Sequence, residues 1–442
     1  MAPGSTWGVV MRRHLAAVLT TMLVSAVLVF VGPASAAPKS KWFVDEASLP
    51  FTPIGDSTAL WGVHAGSGYR IEVPADWNGD LVLYAHGFRG DGLALTVSNP
   101  RIRAHLIDEG YAWAASSYTA NGYVPGTGAK DTHKLIGLFR GLVGQPDRVY
   151  LTGHSMGGHV TGVAIEQWHN SFDGALPMCG VMGDNELFDF YQDAYLVAET
   201  LVGNDPAVPT PEDYFTTGWP QTRAALGSPF PSALTPVGER YKEVVENLTG
   251  GERPIFDEGW VGPVGGAFVF NFQVATTGPG RENLGTTYQF DDDPALTAEE
   301  QAFNDEIVRI AADPQSRHPN GLGGLPGTEV VSPPISGDID MPVLSIHTLG
   351  ELFVPFHMEQ IYAQRVADRG NADLLVTRAI RDVNHCGFSL AEEAQAFDDL
   401  VVWVEEGVVP AGDDVLDAAA VADPTFGCAF TVPDRPGLPP CP

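Results

Sequence analysis

The feature that most constrains the fold is a serine set among glycines, between a strand-like run and a helix-like run. Residues 151–158 read Leu-Thr-Gly-His-Ser-Met-Gly-Gly and contain the pattern G-x-S-x-G, with Ser155 at its centre. Residues 148–151 are typical of a short strand, and residues 159–168 are typical of a helix. A sharp strand-to-helix turn strains the serine backbone, so its neighbours must be small, and the glycines of this segment meet that need. Such a turn lifts the Ser155 hydroxyl above the end of the strand.

Strands and helices alternate on both sides of this motif. Before it, the alternating runs 59–64 and 69–73 predict a hairpin, and the more continuous apolar run 80–85 predicts a buried strand. Residues 111–117 and 174–179 predict further strands. The predicted helices of the core cover residues 101–109, 131–143, 356–369 and 389–406. The alternation indicates a mostly parallel α/β sheet flanked by helices.

The alternation stops after the sixth predicted strand. Residues 185–338 are rich in aromatic residues, Gly and Pro, with some helix-like runs such as 233–247 and 297–312. Because a loop this long is improbable within a compact domain, we expect an inserted cap or lid. The alternation then resumes with predicted strands at 342–347 and 374–380. The predicted organisation is a core over 37–184 and 339–407, the cap over 185–338 and an irregular tail over 408–442.

The N-terminus has the features of a secretory signal peptide. Two arginines, Arg12 and Arg13, precede an almost wholly apolar run over 15–31, and a small-residue cleavage site ends at Ala36. We therefore expect residues 1–36 to be removed and the mature protein to be secreted. The apolar run is short for a membrane span, and the cleavage site argues against a stable membrane anchor.

The charge of the chain restricts its partners. Asp and Glu total 55 residues against 24 Lys and Arg, which gives a net charge of −31. A surface of this sign repels nucleic acid and anionic membrane faces. We therefore expect no nucleic-acid partner.

The chain contains four cysteines, Cys179, Cys386, Cys428 and Cys441. An even number in an exported chain indicates two disulfides, for which three pairings are possible. We favour Cys428 with Cys441, which closes a short loop in the tail, and Cys179 with Cys386, which joins two loops beside the candidate site. Neither C-x-x-C nor H-E-x-x-H spacing is present, so we expect no metal site.

A serine hydroxyl is a weak nucleophile until a base within hydrogen-bond reach takes its proton, and that base needs an orienting acid. His385 lies in the loop after the last predicted strand, and Glu351 lies in the loop after the preceding strand. Asp184, just after the sixth predicted strand, is an alternative acid. The chain order of serine, acid and histidine is typical of one class of serine hydrolases.

These motifs resemble those of the α/β-hydrolase superfamily, in particular the secreted serine esterases and lipases of bacterial type. The turn at Ser155 and the His385 loop match the family, and residues 86–88 (His-Gly-Phe) resemble its H-G-x loop. The stretch around Glu351 resembles the family's G-x-x-D-x-x-V-P, with Glu in place of Asp. The resemblance covers residues 59–184 and 339–407 and implies the α/β-hydrolase fold, with a cap inserted after the sixth strand.

The resemblance also implies a reaction. Ser155 would attack a carboxylic ester and form an acyl-enzyme, with His385 as base, Glu351 as acid, and the amides of Met156 and Phe88 as the oxyanion hole. The substrate would be an ester of a small molecule, a lipid or a polymer, and no cofactor would be required. A secreted peptidase of the same fold is the alternative, because such a triad also cleaves amides. A non-catalytic binding module is less favoured, because such modules usually lack a triad residue.

Overall fold

The computed structural model describes residues 41–211, 213–267, 281–312 and 333–442. The predicted signal peptide, 1–36, and parts of the predicted cap lie outside the described residues. Among the described helices, none combines the length and the apolar character needed to span a bilayer.

An eight-stranded sheet forms the centre of the fold. Its strands are β1 (Thr58–His64), β2 (Ser67–Val73), β3 (Leu81–Ala85), β4 (Ala112–Ser116), β5 (Val149–His154), β6 (Gly174–Met178), β7 (Val343–Thr348) and β8 (Leu375–Ile380). They lie in the order β8-β7-β6-β5-β3-β4-β2-β1. Neighbours from β8 to β4 pair in parallel, whereas β2 is antiparallel to both β4 and β1. The prediction of a mostly parallel sheet is confirmed.

The opening hairpin follows from its turn residues. His64 pairs with Ser67, so Ala65 and Gly66 alone connect β1 and β2. Both adopt positive φ angles, 49° and 90°. A two-residue turn with positive φ at both positions matches the twist of the two strands it connects.

The described helices of the core are α1 (Arg103–Asp108), α2 (Pro125–Leu142), α3 (Met156–Gln167), α10 (His357–Asp368) and α11 (Leu390–Glu406). The described helices between β6 and β7 are α4 (Glu186–Leu201), α5 (Tyr214–Thr217), α6 (Trp219–Leu226), α7 (Pro236–Leu248), α8 (Phe256–Trp260) and α9 (Ala298–Glu306). Short 3-10 helices cover Glu46–Ser48 and Ala372–Leu374, and a two-stranded sheet joins Phe43–Val44 to Ala94–Leu95. The C-terminal segment contains α12 (Ala418–Val421).

Alternate residues of the buried strands serve two separate cores. Leu83 and Leu151 point to the face covered by α2, α3 and α10. Val82 and Tyr150 point to the opposite face, covered by α1 and α11. Side chains that alternate between two buried faces are expected of parallel strands with helices on both sides.

The helices between β6 and β7 have an apolar core of their own. It includes Tyr191 and Tyr241 and continues into Leu352 and Val354 of the loop after β7. This segment therefore packs directly against the end of the sheet that carries Glu351.

Candidate active site

Ser155 occupies the strained turn between β5 and α3. Its backbone angles are φ 59° and ψ −123°, in a region that non-glycine residues rarely adopt. A Cβ atom added at Gly153 would lie 2.2 Å from the Gly157 carbonyl oxygen, and one at Gly157 would lie 2.1 Å from the Ala85 oxygen. Only glycine fits at these two positions, and they allow the backbone to turn tightly enough to present Ser155.

His385 lies between Ser155 and Glu351. Its Nε2 is 2.8 Å from Ser155 Oγ, and its Nδ1 is 2.6 Å from Glu351 Oε2. Because the carboxylate only accepts, Nδ1 carries the proton it donates to Glu351, and Nε2 is free to accept the Ser155 hydroxyl proton. The structure thus brings the three predicted residues into one chain of hydrogen bonds.

The Glu351 carboxylate is fully buried and held from several sides. The Thr348 hydroxyl donates to Oε1 at 2.7 Å, and the Val354 N–H lies 3.4 Å from Oε2. A carboxylate fixed in this way keeps the imidazole in one tautomer and one orientation.

Asp184, the alternative acid, has other partners. Its Oδ2 accepts hydrogen bonds from Arg365 Nη1 at 2.7 Å and from the Ile335 N–H at 3.0 Å. Its Oδ1 accepts from the Asn185 N–H. The structure does not bring Asp184 into hydrogen-bond contact with His385.

The two predicted oxyanion donors lie on either side of the serine. Met156 begins α3, and Phe88 follows Gly87, at which an added Cβ would be 3.2 Å from Ser155 Cβ. Neither the Met156 N–H nor the Phe88 N–H has an acceptor among the described residues. Two unpaired N–H groups beside a nucleophile can stabilise a developing oxyanion.

The loop that carries Phe88 rests on His86. The His86 ring stacks on Tyr118 at 3.9 Å between centroids and donates through Nδ1 to the Gly87 oxygen at 2.7 Å. Burial lowers the pKa of His86 to about 3, so the ring is neutral. His86 therefore buttresses the loop.

A disulfide joins Cys179, after β6, to Cys386, the residue after His385, and a second one joins Cys428 to Cys441. Together with His385, Cys179 and Cys386 form a compact group of metal-binding side-chain types. Their sulfurs are bonded to each other, so neither is a thiolate that a metal would bind.

Sequence reasoning missed two residues that hold the histidine loop. Arg101 donates to the carbonyl oxygens of Phe388, at 2.8 Å, and Cys386, at 3.2 Å. Phe353 packs edge-on against the His385 ring, with centroids 5.0 Å apart. Phe353 had a weak signal, because it follows Glu351 by two residues, but nothing in the sequence links Arg101 to a loop so distant along the chain.

No protein-family model matches the chain. The chain is similar to an o-phthalyl amidase from Xanthobacter agilis, with 23% identity over 81% of this chain and 90% of the relative.

Among solved structures, the chain resembles feruloyl esterase B from Aspergillus oryzae, with TM-score 0.43 and 14% identity over 80% of this chain and 81% of that one. It also resembles an acylaminoacyl peptidase from Pyrococcus horikoshii, with TM-score 0.40 and 11% identity over 82% of this chain. The chain spans 44% of the length of that peptidase.

The sheet order and the strained turn at Ser155 identify the fold. β2 is antiparallel to its neighbours, β3 and β4 exchange places relative to chain order, and Ser155 follows the fifth strand. A nucleophile turn at the top of a mostly parallel sheet, with acid and histidine in later loops, defines one architecture. The chain has the α/β-hydrolase fold.

Proposed function

We propose that the protein is a secreted serine hydrolase that cleaves carboxylic esters through Ser155, His385 and Glu351. One observation carries the proposal: His385 is hydrogen-bonded to Ser155 at 2.8 Å on one side and to Glu351 at 2.6 Å on the other. A serine paired with an imidazole that a buried carboxylate orients is an activated nucleophile.

The proposed reaction begins with attack on the carbonyl carbon. Ser155 Oγ bonds to that carbon while its proton moves to His385 Nε2, and Glu351 stabilises the resulting imidazolium. The carbonyl oxygen becomes an oxyanion and accepts hydrogen bonds from the Met156 and Phe88 N–H groups. The ester bond then breaks, and His385 gives its proton to the leaving alcohol.

The acyl-enzyme is released by water. His385 Nε2 takes a proton from the water molecule as its oxygen attacks the acyl carbon, which forms a second oxyanion in the same N–H pair. Collapse of this intermediate returns the proton to Ser155 and frees the carboxylic acid. Every proton moves between Ser155, His385, water and substrate, so no cofactor enters the scheme.

We further propose that the segment between β6 and β7 is a cap over this site. The Tyr191 hydroxyl of α4 donates to the Phe353 oxygen, and the two rings stack with centroids 6.4 Å apart. Phe353 in turn packs against His385. Through these contacts, the side chains of α4 border the space that a substrate would occupy.

Amide hydrolysis is the second candidate. The observation that favours it is the similarity to an o-phthalyl amidase over 90% of that relative's length. The same triad serves both reactions, because an amide differs only in the leaving group that His385 must protonate.

The test is hydrolysis by the chain from Ala37 onward. It compares p-nitrophenyl esters of increasing acyl length with p-nitroanilides of the same acids, including an o-phthalyl amide. Ester turnover that is lost in Ser155→Ala supports the first proposal, and turnover of the amides alone supports the second. Equal turnover by wild type and Ser155→Ala would contradict both.

A further inference from the structure

A second buried histidine–glutamate pair lies behind Glu351, on the side away from His385. His347, on β7, places Nδ1 3.3 Å from Glu359 Oε1 of α10. Its Nε2 is 3.7 Å from Glu351 Oε1. One imidazole therefore lies between two carboxylates, one of which belongs to the candidate triad.

All three side chains are removed from solvent. His347 and Glu351 are 0% exposed, and Glu359 is 1% exposed. Two buried carboxylates are costly unless positive charge or hydrogen bonds compensate them. The Ser345 hydroxyl donates to Glu359 Oε1 at 2.8 Å, and the His347 ring lies against both carboxylates.

His347 also holds the turn that aims Glu351. Its Nε2 is 2.7 Å from the Val354 carbonyl oxygen, and since a carbonyl only accepts, Nε2 carries a proton. The Val354 N–H faces Glu351 Oε2 at 3.4 Å, the oxygen that His385 contacts. The imidazole thus holds the Val354 end of the 351–354 turn by a hydrogen bond and lies against the Glu351 carboxylate at the other end.

We propose, on the basis of the function proposed above, that His347 is a positioning residue that aims Glu351 at His385 and places positive charge beside that pair, with the Glu359 carboxylate stabilising the charge. The geometry gives His347 two separate contributions: a hydrogen bond that fixes the turn, and a positive charge beside Glu351.

The surroundings of His347 support a charged ring. Burial by itself lowers the pKa of His347, but the adjacent carboxylates of Glu359 and Glu351 outweigh burial and raise it. Other titratable groups around this cluster include His357 and Arg253, Tyr362 near Glu359, and Tyr191 near Glu351. Burial lowers the pKa of His357 to about 3, and burial raises those of both tyrosines, so these three are uncharged near neutral pH.

The test is the pH profile of kcat/KM for a p-nitrophenyl ester, measured for wild type, His347→Gln and Glu359→Gln. Without the positive charge beside it, the site takes up a proton more readily. As the pH is lowered, activity is therefore lost at a higher pH than in the wild type. We expect the acid limb to move up by about 0.5 to 1 pH unit in both variants. Glu359→Gln retains the hydrogen bond to Val354, so its kcat should fall less than that of His347→Gln.

His357→Gln is the matched control. It replaces a partly buried, neutral histidine two positions from Glu359, so its acid limb should stay at the wild-type pH. Thermal unfolding of each variant separates loss of structure from loss of charge. Should His347→Gln fail to fold, Glu359→Gln decides the question.

An active Glu359→Gln variant with an unmoved acid limb would overturn this inference and leave the proposed function intact. A wild-type chain that turns over neither esters nor amides, and whose Ser155 resists a fluorophosphonate, would overturn the proposed function and this inference with it. The two failures are therefore distinguishable.

Discussion

Two neighbouring loops each carry a buried acid at the same edge of the sheet, yet the two acids have different partners. Glu351, after β7, is 0% exposed and contacts His385. Asp184, after β6, is 5% exposed and is paired with Arg365 of α10. Parallel strands bring both acids to one edge, but the partner of each carboxylate decides what it can do. A carboxylate already engaged by a guanidinium and two backbone N–H groups has little left to offer an imidazole.

The two loops also differ in what they pack against. The loop after β6 lies close to α3, because a Cβ added at Gly158 would be 2.5 Å from Gly180 Cα. Asp184 ties this loop to Ile335, just before β7. We infer that the loop after β6 has a mainly structural role and that the loop after β7 contributes to the chemistry.

The largest effect is expected at Ser155, which is linked through His385 to Glu351 of the loop after β7. Ser155→Ala should lower kcat by about 10⁴ to 10⁶-fold, because no other group replaces the nucleophile. Thermal unfolding should change little, since the substitution only removes the hydroxyl. A Ser155→Ala variant with wild-type turnover would show that Ser155 is not the nucleophile and that neither acid acts through it.

The second prediction tests the two acids directly. Glu351→Gln should lower kcat by about 10³ to 10⁴-fold with little change in KM, because the amide no longer stabilises the imidazolium. Asp184→Asn is the matched control and should stay within about threefold of wild type in kcat. The reverse result would make Asp184 the acid.

The third prediction concerns the disulfide that joins the loop after β6 to the loop that carries His385. The double variant Cys179→Ala/Cys386→Ala should lose about 2–5 kcal/mol of unfolding free energy, as judged by urea unfolding, and should lose turnover as well. The control, Cys428→Ala/Cys441→Ala, removes the bridge of the tail, 13 residues apart in sequence. Its smaller closed loop predicts a smaller loss and unchanged turnover. Equal turnover in both variants would show that the Cys179–Cys386 bridge is not needed to hold the His385 loop for catalysis.

The smallest effect is expected on the free energy of unfolding when either acid is replaced by its amide. Asp184→Asn leaves Arg365 without its carboxylate and should cost about 1–3 kcal/mol of unfolding free energy. Glu351→Gln keeps a side-chain oxygen that can still accept from His385 and from the Val354 N–H, and it should cost less. Urea unfolding of the two variants side by side gives the order. A larger loss in Glu351→Gln would undo the structural role assigned to the loop after β6.

Much of the fold follows from local patterns in the sequence. The eight strands, the hairpin at Ala65-Gly66 and the turn at Ser155 are each specified by their own residues. The start of α2 is different: a helix was predicted from residue 131, whereas it begins at Pro125. A Cβ added at Gly128 would lie 2.6 Å from Val160 Cγ2, so tertiary packing against α3 requires a residue of low helix propensity there.

The region between β6 and β7 was the least predictable, for a physical reason. The helix predicted over 297–312 ends at Glu306, because the following residues pair elsewhere, with the Ile310 N–H donating to Asn283 Oδ1 at 2.6 Å. The sequence favoured Glu351 as the acid but left Asp184 open as the alternative, because both follow strands. The contacts that distinguish the two acids, Glu351 with His385 and Asp184 with Arg365, join residues far apart in the sequence.

The most direct test of the account is to find the residue that a fluorophosphonate modifies in the chain from Ala37 onward. Peptide mass spectrometry of wild type, Glu351→Gln and Asp184→Asn would report both the site and the rate of labelling. We predict one adduct, on Ser155, formed at the wild-type rate in Asp184→Asn and far more slowly in Glu351→Gln. An adduct on another residue, or slow labelling in Asp184→Asn alone, would contradict the account.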